Sequence, residues 1–161
     1  MTKNTLSLKP QQLTALKAFI LKEDVFALLP TGFGKSLIYQ LAPLVAKMSL
    51  CETPVVVMVS PLLALMEQQV MKAFKLGVIA MQLGVNRDEE IFSGKAELLF
   101  GSPEAWLLNE KWRRLLFNLK ELVGIVIDEV HLTYEWCQVA KGVRAERMEL
   151  QAEPTIVIWT I

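Results

Sequence analysis

The chain has 161 residues, enough for one compact domain with a sizeable core and too few for two full lobes. Its 17 Lys and Arg balance 17 Asp and Glu, so no overall positive field draws a polyanion, and any nucleic-acid contact must be local. Although 53% of residues are hydrophobic, charges interrupt every stretch short of the ~20 apolar residues a membrane span requires, and two cysteines with a single histidine form no four-ligand zinc set.

In chain order, Pro10 suits a first helical turn, and Leu13, Leu16 and Ile20 carry that helix forward. A strand follows over Val25 to Leu29, then a helix patterned by Leu37, Leu41, Val45 and Met48. A second strand over Val55 to Ser60 leads into a helix patterned by Leu62, Met66, Val70 and Phe74. Further strands are expected over Val78 to Leu83, Glu97 to Gly101, Val123 to Asp128 and Thr155 to Ile161. Several are apolar at nearly every position, the mark of strands covered on both faces. Strands alternating with helices predict an α/β fold: a doubly wound, mainly parallel sheet with helices on both faces.

No repeat, low-complexity tract or linker divides the chain, so residues 1–161 are read as one domain. No basic N-terminal region precedes a continuous apolar segment, which makes an intracellular location the default expectation. The closing TIVIWTI is uncharged and β-prone, an aggregation risk if it lies at an unprotected sheet edge. Cys51 and Cys137 are expected to be buried or idle thiols.

Directly after the first strand comes LLPTGFGKS. Gly32 and Gly34 permit a tight curl that turns successive N–H groups inward on an anion, with Thr31 and Phe33 completing the loop. Lys35 adds a point charge suited to β- and γ-phosphates, the Ser36 hydroxyl suits a Mg²⁺ shell, and the next helix offers its positive end. The general phosphate-loop pattern asks for glycine where Leu29 stands, whereas TGFGKS is the shorter helicase form.

Ninety-three residues beyond Lys35, the apolar run LVGIVIDEVH ends in Asp128 and Glu129. In open α/β sheets ligands sit beyond the carboxyl ends of the strands, so this pair can share a crevice with the glycine loop. Asp128 suits a Mg²⁺ ligand, commonly through water, and Glu129 suits orienting and deprotonating the water that attacks a γ-phosphate. Standing alone, an Asp-Glu pair merely ends a strand at solvent.

DEVH, with His131, resembles the DEAH box of superfamily 2 helicases with valine in place of alanine. LKPQQ, twenty-three residues from Gln12 to Lys35, is similar to the adenine-reading segment of the RecQ family. VVVMVSPLLALMEQQV resembles that family's motif Ia, and FGSPEAWL its motif Ib. Trp136 of LTYEWCQVAKGVRAE matches its aromatic-rich loop, in which Gln138, Val139, Ala140 and Lys141 replace the family's His, Asp, Phe and Arg. Thr160 corresponds to the first threonine of motif III.

The resemblance is thus to the first RecA-like lobe of a RecQ-type ATP-dependent DNA helicase. It implies ATP and Mg²⁺ as cofactors, with His131 coupling nucleotide state to the nucleic-acid site. Gln12 would read adenine, since an amide both donates and accepts, and Lys9 stands where the family carries a base-stacking arginine. Ser60, Pro61, Gln69 and Ser102 would hold the phosphates of single-stranded or forked DNA, and Trp136, with Tyr134, would stack on bases.

It also implies a second RecA-like lobe as partner, no membrane, and a nuclear location in a eukaryote or a cytoplasmic, nucleoid one in a bacterium. Without that lobe's arginine the chain is expected to bind nucleotide weakly, hydrolyse it slowly and not unwind duplex DNA. Other readings stay open: a truncated, catalytically inactive nucleotide-binding or protein-interaction module, or another phosphate-loop class such as a nucleotide kinase. On the plainest reading Gln12 is an exposed helix residue, Trp136 a packing residue, and each Ser-Pro simply begins a helix.

Overall fold

The computed structural model describes residues 7–49 and 51–128, and residues 155–160 by their backbone. Six strands form one sheet: β1 (Val25–Leu28), β2 (Val55–Val59), β3 (Ala80–Gln82), β4 (Leu98–Gly101), β5 (Leu122–Ile127) and β6 (Thr155–Thr160). Their spatial order is β1-β6-β5-β2-β4-β3 and every described pairing is parallel. All six expected strands are present.

The helices are α1 (Pro10–Ile20), α2 (Lys35–Met48), α3 (Leu63–Lys75), α4 (Asp88–Phe92), α5 (Pro103–Leu108) and α6 (Glu110–Asn118). Parallel neighbours need right-handed crossovers, so the direction of travel across the sheet decides which face each helix covers. From β1 to β2 and on to β3 the chain moves one way, and α2 and α3 join α1 on one face. The core there contains Leu16, Phe19, Ile38, Tyr39, Met66 and Ala73. From β3 back to β4 and then β5 the direction reverses, and Ile91, Trp106, Trp112 and Leu116 of α4 to α6 fill the opposite face.

Two-sided burial accounts for the unbroken apolar runs: all four residues of β4 and all six of β5 are buried. Helix α2 is present but rotated from its most regular apolar stripe. Ile38, Tyr39, Gln40, Ala42, Pro43 and Ala46 are its buried residues, Leu37, Leu41 and Val45 are half-buried, and Met48 is exposed. The small side chains of Ala42 and Ala46 let the helix lie close to the sheet, which the larger residues at its flank would prevent.

Trp106 anchors α5 across the sheet by donating its indole N–H to the Met58 carbonyl at 3.3 Å. The ring packs against Gly101, where a Cβ would stand 2.5 Å from the indole nitrogen. This close approach fixes where the turn after β4 leaves the sheet. Strand β6 pairs on both sides, with β1 and with β5, so the Thr155–Thr160 backbone is an interior strand and, among the described strands, the edges are β1 and β3. Cys51 is half-buried, its thiol 3.4 Å from a Glu121 carboxylate oxygen, and Cys137 lies outside the described residues. Among the described residues no helix is long and apolar enough to cross a membrane.

Candidate functional site

Because all strands run in parallel, the loop after β1 and the end of β5 open on the same edge of the sheet. Gly32 and Gly34 have φ of 78° and 87°, the left-handed region that a side chain disfavours, and this is how the 31–34 segment doubles back. Gly34 caps α2 and Lys35 is its first residue, so the free N–H groups of the first helical turn and the ammonium group belong to one short stretch. No acidic side chain stands in that turn to offset the positive end.

Helix α1 holds the loop in shape. The Gln12 amide donates to the Phe33 carbonyl at 3.0 Å and the Gly34 carbonyl at 3.1 Å, while its oxygen accepts from the Lys9 backbone N–H at 2.8 Å. Lys9 donates to the Phe33 carbonyl at 3.4 Å and rests its ammonium 4.1 Å from the Phe33 ring centroid, a cation–π contact. Lys9 and Gln12 therefore both contact the phosphate loop. Gln12 is 3% exposed, not a surface helix residue, and both amide hydrogens are committed to the loop backbone. An incoming base would have to take one of them in exchange.

Tyr39, one turn into α2, reports that the two halves of the site meet. Its hydroxyl is hydrogen-bonded to Ser36, and its acidity is suppressed first by burial and then by the negative charge of Asp128, with the Ser36 bond opposing both. The charge of Asp128 and the side chain of Ser36 thus both bear on this buried phenol. Asp128 is half-buried, and its backbone N–H donates to the Val59 carbonyl at 3.0 Å, which ties the end of β5 to the end of β2. Glu129, His131, Tyr134 and Trp136 lie outside the described residues.

The remaining candidates cluster where the connections diverge. Adjacent strands β2 and β4 send their following helices, α3 and α5, to opposite faces, the arrangement beside which open α/β sheets take ligands. Ser60 is buried; its backbone N–H donates to the Gly101 carbonyl at 3.2 Å and its hydroxyl accepts from Leu62 N–H at 3.4 Å. Pro61 is half-buried beside it.

Ser102 caps α5, its hydroxyl accepting from Ala105 N–H at 3.2 Å, with Pro103 as the first helical residue. Ser102→Ala should therefore lower stability by about 1 kcal/mol in urea unfolding, and Ser102→Asn, another capping residue, should restore most of it. Equal losses in both variants would remove the capping role. Gln69 on α3 is half-buried and accepts from the Gln40 amide at 2.7 Å, so its side-chain oxygen is engaged with α2.

Two residues of this neighbourhood, Tyr39 and Gln40, went unnoticed in the sequence. The available signal was a phenol and an amide inside the otherwise apolar helix that follows GKS.

The family model for DEAD/DEAH box helicases matches residues 9–160. The chain belongs to the DEAD/DEAH box helicase family. Within that family this domain is 34% identical over 139 residues to the ATP-dependent helicase SGS1 of Saccharomyces cerevisiae, covering 80% of this chain and 10% of that protein. It is 29% identical over 141 residues to the rat ATP-dependent DNA helicase Q1, covering 80% of this chain and 22% of that protein. The helicase domain therefore spans about a fifth or less of the length of these relatives. Its fold matches that of the helicase MrfA, solved bound to DNA, with a TM-score of 0.77, 18% identity and coverage of 99% of this chain and 23% of that one. The RecQ-like resemblance and the RecA-like fold expected from the motifs both stand.

Proposed function

We propose that this domain is the ATP-binding first lobe of a RecQ-like 3′-to-5′ DNA helicase, coupling ATP hydrolysis to movement along single-stranded DNA together with a second RecA-like lobe. One observation carries the reading: the parallel sheet brings the phosphate loop after β1, with Lys35 and Ser36 at the start of α2, to the same edge as Asp128 at the end of β5.

The residues fit Mg²⁺, because the Ser36 hydroxyl in the first turn of α2 and the Asp128 carboxylate after β5, on the same edge of the sheet, are hard oxygen donors of the type the ion takes while keeping several waters. Ser36 and Asp128 would hold it, and the ion would neutralise charge on the phosphate oxygens. Lys35 and the first-turn N–H groups of α2 bind and orient the triphosphate. Glu129 would orient the attacking water and take its proton, and His131 would link this edge to the nucleic-acid side. Gln12, with Lys9 and Phe33, holds the loop and reads adenine by exchanging one loop bond for one base bond.

DNA phosphates would lie along the divergence between β2 and β4, against Ser60, Pro61, Ser102 and the start of α3, with Gln69 nearby and Trp136 stacking on a base. The relatives named as DNA helicases and the DNA-bound MrfA support this assignment. An intracellular site of action, nuclear in a eukaryote and with the nucleoid in a bacterium, follows from such a substrate.

Isothermal titration of the chain with ATP and with GTP, in Mg²⁺, tests the proposal. ATP should bind more tightly, and Lys35→Ala should weaken binding by about 1.5–3 kcal/mol, roughly ten- to a hundredfold, as for a lost hydrogen bond to a charged group. Equal affinities for ATP and GTP remove the adenine role of Gln12. An unchanged affinity in Lys35→Ala removes the nucleotide site.

A further inference from the structure

Gln40 is 3% exposed on the helix that begins at the phosphate loop, yet no step of the proposed chemistry uses it. Its amide donates to the Gln69 side-chain oxygen at 2.7 Å and lies 3.5 Å from the Gln69 backbone carbonyl, so one side chain of α2 grips both the side chain and the main chain of α3. The two helices lie on the same face and otherwise approach each other sparsely. A hydrogen-bonded amide pair differs from an apolar contact in being directional: a relative slide of about an ångström breaks it, and the buried Gln40 amide then bears its desolvation cost.

The position of the pair gives that stiffness a use. Gln40 lies five residues beyond Lys35, about one and a half turns from the end that faces the phosphates. Gln69 lies on the helix that grows out of the Ser60-Pro61 turn. A shift of α2 as phosphates settle on its N-terminus is therefore handed to α3 and to the turn at its head. Resting on the proposed function above, we infer that Gln40 is a positioning residue that couples nucleotide occupancy at the phosphate loop to single-stranded DNA affinity at the β2–α3 turn. It touches neither ligand.

The test uses the chain with fluorescein-labelled oligo-dT, whose anisotropy gives DNA affinity with and without Mg²⁺ and a non-hydrolysable ATP analogue. Wild type should show a linkage factor within the roughly 5- to 150-fold range usual for coupled sites. Gln40→Met, nearly isosteric but without a donor, should bring that factor to within about twofold of unity while each ligand's separate affinity stays within about twofold of wild type, as for a site remote from both.

A second readout needs no variant: adding the analogue to wild type should slow hydrogen exchange in the first turn of α3. Linkage surviving in Gln40→Met, or exchange in α3 indifferent to nucleotide, would each overturn the coupling role while leaving the helicase reading intact. Wild type that binds neither ligand would overturn that reading and this inference together.

Discussion

Gly34→Ala should weaken nucleotide binding by roughly 2–4 kcal/mol, about thirty- to several hundredfold, with a smaller effect on the unfolding midpoint. Two independent costs combine. At φ of 87° an alanine is held in the left-handed region, which disfavours a side chain by about 1–2 kcal/mol. The new Cβ would also stand 2.7 Å from the Gln12 amide nitrogen, forcing that side chain off the loop and disrupting its bonds to Phe33 and Gly34, each worth about 0.5–1.5 kcal/mol.

The loop is on the surface and can relax elsewhere, so the loss falls on the conformation that accepts phosphates and less on global stability. Gly32→Ala separates the two costs. Its φ is 78° but nothing lies within 4 Å of its Cβ, so only the backbone cost of about 1–2 kcal/mol applies. Titration calorimetry on both variants should rank Gly34→Ala clearly below Gly32→Ala. The reverse order would mean that Gln12 does not shape the loop.

Lys47→Ala should lower the unfolding free energy by about 2–3 kcal/mol, more than Glu97→Gln at the other end of the same ion pair. The asymmetry follows from burial. The Glu97 side chain is 8% exposed and that of Lys47 42%, so only the carboxylate depends on its partner. With Lys47 shortened, a buried charge keeps a single described partner, the Ile79 backbone N–H at 2.8 Å. The figure lies below the ~3–5 kcal/mol of a fully buried pair because water already reaches the ammonium group.

Glu97→Gln leaves an oxygen for Ile79 N–H and frees Lys47 to turn to solvent, and its cost should be close to the ~1 kcal/mol of one hydrogen bond. The pair ties the last turn of α2 to the start of β4, far from the phosphate end of the helix. Nucleotide affinity measured well below the unfolding transition should therefore change little in either variant. Equal destabilisation by the two would mean that the carboxylate is not the dependent partner.

Much of this domain is local in origin and was legible along the chain. Strands β2, β4 and β5 announce themselves because a strand covered on both faces must be apolar at nearly every position. The phosphate loop does so because positive φ at Gly32 and Gly34 and a helix opening at Lys35 are conditions set within a few residues. Helices α4 to α6 were not read: α4 and α5 are only five and six residues long, too short to repeat a periodic face, and α6 has just Trp112 and Leu116 buried.

Other features exist only once distant segments have been brought together. TIVIWTI is an interior strand because the crossovers insert it between β1 and β5, a matter of strand order that its own residues do not encode. Gln12 and Gln69 were read as groups free for ligands, whereas each amide is held by a partner 21 to 29 residues away. An amide advertises the ability to donate and accept, but its actual partner is set by which backbone or side chain folding delivers to it. For the same reason Tyr39, mute in the sequence, takes its surroundings from burial, from Ser36 and from the charge of Asp128 at the end of β5.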